Sequence, residues 1–79
     1  MRKWESNERF LEHQYPRCLW FEGYWLLASP TAWAVWCEGD PDEPVVHGEA
    51  SGLAEAETAC AVAFGEYLAR MLKMWQDDA

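Results

Sequence analysis

No lysine or arginine occurs between Cys18 and Ala69; all six basic residues flank that stretch, as Arg2, Lys3, Arg9 and Arg17 before it and Arg70 and Lys73 after it. A chain that grips nucleic acid needs such cations on its folded body, so direct DNA or RNA binding is excluded as the expected activity. Cysteine is sparse: Cys18, Cys37 and Cys60 are three in number and widely spaced. An odd, scattered set does not make a disulfide framework, and reduced thiols are expected. There is no Cys-x-x-Cys or His-x-x-x-His pair, so Cys18, Cys37, Cys60, His13 and His47 do not predict a zinc site. Apolar runs stay far below the roughly 20 residues of a membrane-spanning helix. Arg2 and Lys3 lead into Trp4, Glu5 and Ser6 rather than an apolar run, so no signal peptide is read and a cytoplasmic location is expected. Gly-rich phosphate loops, a serine-centred elbow and paired carboxylates in an evident pocket are all missing, which argues against an enzyme and against a bound cofactor. A Cys-His nucleophile is disfavoured too, because surrounding negative charge opposes thiolate formation.

What the same stretch does hold is nine carboxylates: Glu22, Glu38, Asp40, Asp42, Glu43, Glu49, Glu55, Glu57 and Glu66. It also carries most of the aromatic and aliphatic residues of a chain that is 51% apolar with six tryptophans, so it is a folded body and not a disordered acidic tail. The net charge of -8 repels nucleic acid and anionic membrane and attracts basic protein surfaces. Seventy-nine residues suit one domain, 1–79, that hides only about 60% of its unfolded-state surface.

Periodicity divides the chain in three. Trp4, Leu11 and Tyr15 recur at helical spacing before Pro16, which predicts a short N-terminal amphipathic helix, with an extended arm as the alternative. From Cys18 to Gly48 the period shortens to two and the residues turn aromatic and β-branched. Glu22-Gly23 reads either as a bulge in one strand or as a break between two. Ser29-Pro30-Thr31 is a turn, 32–38 a strand, Gly39 to Pro44 a loop, and 45–49 a last strand. Residues 52–76 predict a long helix whose apolar stripe holds Leu53, Ala56, Cys60, Phe64, Tyr67, Met71 and Trp75, with Ser51 as N-cap. The expected fold is α+β: a short N-terminal helix, a three-stranded antiparallel sheet, and a long C-terminal helix on one face. Trp20, Trp25, Trp33 and Trp36 cannot all lie under that helix, so part of the second face is expected to be open to a partner or to a second copy.

The loop Glu38-Gly39-Asp40-Pro41-Asp42-Glu43 has the composition of a cation site, but it is short, stiffened by Pro41 and Pro44, and lacks the closing acid of a calcium loop. The carboxylates themselves carry either ordinary surface acidity or a mimic of the nucleic-acid backbone. A rigid surface bearing Glu22, Glu38, Asp40, Asp42, Glu43, Glu49, Glu55 and Glu66, uninterrupted by cations, meets the electrostatic requirement for occupying a groove built for DNA. In its short length, its acidic block and its sheet-then-helix layout running into Glu49-Ala50-Ser51-Gly52-Leu53-Ala54-Glu55-Ala56-Glu57, the chain resembles small phage-encoded anti-CRISPR proteins. That resemblance implies a non-enzymatic inhibitor, acting in the host bacterial cytoplasm, that blocks the DNA-binding cleft of a CRISPR-Cas effector, with type I surveillance complexes foremost. The implied partner is a basic DNA-binding surface of a host protein complex, and the implied state is a monomer or weak homodimer. The alternative is a small accessory or structural protein that self-associates through exposed tryptophans.

Overall fold

A computed structural model describes residues 3–6, 15–39 and 42–77. Five strands come in chain order, β1 (Glu5–Ser6), β2 (Arg17–Phe21), β3 (Tyr24–Ala28), β4 (Ala32–Cys37) and β5 (Val46–Glu49), followed by one helix, α1 (Leu53–Asp77). The strands form a single antiparallel sheet in sequence order, and α1 lies across β3, β4 and β5. The architecture is α+β, as the residue pattern predicts. Several of its details differ.

Of the two readings of Glu22-Gly23, the break between two strands holds and the bulge does not: the pair is a two-residue hairpin turn closing Phe21 onto Tyr24. Both turn residues have positive φ, 47° for Glu22 and 90° for Gly23, the backbone that matches the right-handed twist of paired strands. The expected first strand is therefore two strands. At the N-terminus, Glu5 and Ser6 are extended and pair with Cys18 and Arg17, so the helix expected there does not include them; residues 7–14 lie outside the described residues. Arg17 Nη2 donates to the Trp4 carbonyl at 3.0 Å, and Trp4 packs against the core. An isolated short helix is marginal in water, while an extended segment beside β2 gains a ladder and buries its tryptophan.

Register sorts the side chains. Leu19, Leu26, Val35 and Val46 are directly opposite in successive strands and share the face beneath α1. Leu26 and Val35 meet Cys60 and Phe64 in the core, ringed by Phe21, Tyr24, Trp33 and Tyr67. Phe64 sits edge-on to Phe21 with ring centroids 5.8 Å apart and 5.1 Å from Tyr24. The second face carries Cys18, Trp20, Trp25, Leu27, Ala34, Trp36 and His47. Leu27 and Ala34 are each only 1% exposed there, although α1 is on the other side.

The connection into α1 is tied to the β3–β4 turn. Ala50 N–H donates to Thr31 O at 3.0 Å and Gly52 N–H to Pro30 O at 2.7 Å. Ser29 Oγ holds that turn by accepting from Ala32 N–H at 3.0 Å. The helix begins one residue later than an N-cap at Ser51 requires: Ala56 N–H bonds to Gly52 O, and Gly52 has a φ of 135° that a side chain would strain. Ser51 instead gives its N–H to the Glu55 carboxylate.

Pinned at that end, α1 outruns the sheet. Its 25 residues extend about 37 Å, whereas the five residues of β3 cover about 17 Å. Trp75 therefore lies on the expected stripe but beyond anything to pack on, and is 72% exposed. Among the described residues no helix is long and apolar enough to cross a membrane.

Two substitutions test this packing. Phe64→Ala empties the centre of the helix–sheet contact and is expected to cost about 3–5 kcal/mol, against a total of roughly 4–12 kcal/mol for a domain of this size. Gly48 lies opposite Trp33, whose indole occupies the place of a side chain: a Cβ there would meet Trp33 Cζ2 at 2.6 Å. Gly48→Ala is expected to cost about 1–3 kcal/mol in urea unfolding; an unchanged midpoint would show that the ring does not rest on the glycine.

Candidate functional site

The meander decides where each carboxylate goes. Glu22 is at the tip of the β2–β3 hairpin and exposed. Glu38 follows β4 and donates its backbone N–H to Gly23 O at 2.9 Å, which fastens the two segments together. Asp42 and Glu43, both exposed, project in the β4–β5 loop from that same end of the sheet. Asp40 lies outside the described residues. Glu66 is exposed on α1 at the level of this end, since its neighbour Tyr67 packs edge-on against Tyr24 with ring centroids 5.8 Å apart. The structure therefore places Glu22, Glu38, Asp42 and Glu43 at one end of the sheet, while Glu66 is on the side of α1 turned away from the sheet and does not join them.

Glu49 and Glu55 are elsewhere. Glu49 ends β5 opposite Ala32, and Glu55 is in the first turn of α1, engaged with Ser51. They mark the opposite end of the sheet, about 17 Å away along the strands. The acidic block is thus two poles rather than one front. Glu57, at the second pole, faces Arg17, with Nε 3.4 Å from its carboxylate oxygen, so one of the flanking cations folds back on the acidic body. Glu38, Asp42 and Glu43 have no such cation among the described residues. The Arg17–Glu57 contact spans β2 and α1, forty positions apart in sequence, and no local pattern signals it.

Two further groups have unusual surroundings. Burial pushes the Cys60 thiol up to about 12, and Cys60 Sγ donates to Ala34 O at 3.6 Å, so the thiol is held protonated in the helix–sheet contact. Tyr24 is also raised to about 12, first by its hydrogen bond with the Tyr67 hydroxyl and then by burial. His47 is exposed on the second face, away from Cys60, and the described residues contain no cluster of three His, Cys, Asp or Glu able to hold a metal ion. On that face Trp20 and Trp25 have ring centroids 4.7 Å apart, and Trp36 Nε1 is buried with no hydrogen-bond partner among the described residues.

Both raised groups favour their neutral forms in the folded chain. Below pH 9 each is protonated in folded and unfolded states alike, so neither makes stability depend on pH. Above pH 9 the unfolded chain first releases the Cys60 proton, whose ordinary value is 9.0, then that of Tyr24 at 10.0. Stability is expected to fall between about pH 9 and 12, as read from urea midpoints across that window, and Cys60→Ala is expected to flatten the first part of the decline. At pH 8 iodoacetamide is expected to modify half-buried Cys37 well before Cys60.

No family model, curated protein or solved structure matches this chain, so a reading of its function rests on where these side chains lie.

Proposed function

We propose that the chain is an acidic protein-binding inhibitor that inserts a carboxylate pole into a basic groove built to grip nucleic acid. The single observation behind this reading is the convergence of Glu22, Glu38, Asp42 and Glu43 on one end of the sheet, with no cation paired to the last three among the described residues. A rigid base supports that pole, because the Glu38 N–H to Gly23 O bond joins the hairpin tip to the β4–β5 loop. Preorganised charge of this kind binds with little ordering cost. Long-range attraction between a body of net charge -8 and a cationic cleft also speeds the encounter. By its resemblance to anti-CRISPR proteins, the partner is the DNA-binding cleft of a bacterial defence complex, foremost a type I CRISPR-Cas surveillance complex. Glu49 and Glu55, at the far pole, are then outside the contact.

The test is competition with target DNA for a purified type I surveillance complex. Affinity is expected to fall steeply as salt rises from about 0.05 to 0.5 M. Asp42→Lys combined with Glu43→Lys is expected to weaken binding by about tenfold or more, while Glu49→Lys changes it little. Equal effects at both poles, or affinity indifferent to salt, would remove the mimicry.

A further inference from the structure

The hydrogen bonds of the sheet fix which backbone groups β5 turns outward. Ser29 N–H bonds to Ala32 O and Glu38 N–H to Gly23 O, so the even-numbered residues of β4 turn their backbone groups toward β3. Trp33 and Val35 therefore face β5, in line with the bond from Ala50 N–H to Thr31 O. Gly48 and Val46, opposite them, point inward, and His47 and Glu49 direct their N–H and C=O groups out of the sheet. β5 is the last strand in the sheet, so among the described residues no strand takes these groups up. Within its span it carries neither the lysine nor the proline that commonly blunts an exposed edge.

We propose that this edge is the interface of a homodimer in which β5 of two copies pair antiparallel and join the two sheets into one. The two-fold axis stands between Gly48 and its copy. His47 N–H then donates to Glu49 O of the other copy, and Glu49 N–H to His47 O, in both directions. The side chains agree with that register. His47 and Glu49 are both exposed and lie on the same face, so each His47 comes directly opposite a Glu49. An imidazole N–H donates to a carboxylate in either charge state of the ring. An axis at Glu49 would set two carboxylates against each other. One at His47 would pair Glu49 with Val45, whose N–H is turned inward to Val35 O.

The glycine on the axis favours a second copy as the occupant. Trp33 lies over Gly48, with Cζ2 2.6 Å from where a Cβ would sit, and is only half-buried. Gly48 and its copy form the closer kind of cross-strand pair, with Cα atoms about 4.5 Å apart, so the two indoles meet over the axis and cover each other's open rims. An extended peptide of other sequence meets the same backbone but lacks that indole and the alternating His and Glu. The helices do not obstruct the approach. α1 lies across β3, β4 and β5, so its axis and that of its copy are about 14 Å apart, or three strand spacings, against a helix diameter of about 10–12 Å. Two short strands bury less than the roughly 1,200 Å² of a standard interface, and a net charge of -8 on each copy opposes pairing. The dimer is therefore weak, with a Kd on the order of 0.1 mM. It uses β5 and not the carboxylate pole, so this reading and the inhibitor reading fail independently.

The experiment is sedimentation equilibrium of the full chain, joined to residue-resolved amide exchange. The His47 and Glu49 amides are expected to exchange more slowly as concentration rises, while the Gly48 amide, bonded to β4, does not change. His47→Pro removes an outward donor and leaves the β4–β5 ladder whole, and Glu49→Lys sets a cation against His47. Each is expected to weaken dimerisation by at least about tenfold while keeping the circular dichroism of wild type, since both side chains are exposed in the monomer. His47→Glu combined with Glu49→Lys restores an opposite-charge pair and is expected to recover the dimer. A wild type that stays monomeric up to about 1 mM, a dimer that survives His47→Pro, or a double variant no tighter than Glu49→Lys overturns the proposal.

Discussion

The close approach of α1 to the sheet is the constraint from which the rest of the molecule follows. It depends on small side chains at the contact: Ala56 and Cys60 are fully buried, and the Cys60 thiol reaches the backbone carbonyl of Ala34. With the helix axis drawn down at these two positions, Phe64 one turn on enters the pocket between Phe21 and Tyr24. Larger residues at 56 or 60 would lift the helix and empty that aromatic cluster, since cores lose contact energy for gaps well under an ångström. The helix cannot slide to relieve such strain either. Ala50 and Gly52 are bonded to the turn between β3 and β4, so the position of the helix start is fixed by the sheet it covers.

A single helix on a five-stranded sheet leaves half of the sheet to other means. On the second face Leu27 and Ala34 are buried, and tryptophans flank them at 20, 25 and 36. Trp36 has its ring nitrogen buried without a partner among the described residues, a group whose desolvation costs about 1–3 kcal/mol. Large aromatic area on this face offsets that cost: each such ring buries roughly 150–250 Å². Arg17 joins the layers. Its guanidinium reaches the Trp4 carbonyl beside β1 and the Glu57 carboxylate on α1, so one cation connects the sheet edge to the helix. Being partly exposed, the ion pair adds little to stability beyond its role in placing those elements.

Much of this was legible in the residues, for reasons that vary by element. The helical stripe from Ala56 to Tyr67 is a strong 3.6-residue signal, and β4 alternates so regularly that Trp33, Val35 and Cys37 fall on one face as expected. Glu22-Gly23 stayed ambiguous because glutamate is an uncommon choice where φ is positive, so the pair lacks the asparagine or aspartate that marks such hairpins. Trp4, Leu11 and Tyr15 match a helical period, but three widely spaced apolar residues are too few to outweigh pairing with β2. Trp75 shows a different gap. Periodicity tells which side of a helix is apolar but not where its support stops, and that depends on strand length, which lies in another part of the chain.

The acidic residues show the same separation between order in sequence and place in the fold. In an antiparallel meander, alternate connections fall at opposite ends of the sheet. The β2–β3 turn and the β4–β5 loop share one end; the β3–β4 turn and the entry to α1 share the other. A run of carboxylates carried by successive connections must therefore be divided, whatever its sequence continuity. Glu22, Glu38, Asp42 and Glu43 fall on one side of that division, Glu49 and Glu55 on the other. The helix then crosses from the second end to the first and passes beyond it, so Arg70 and Lys73 are carried out past the larger acidic pole rather than across its face. Charge in this chain is thus arranged along its 42 Å long axis, and the carboxylates able to act together are those that the strand connections, not the sequence interval, set side by side.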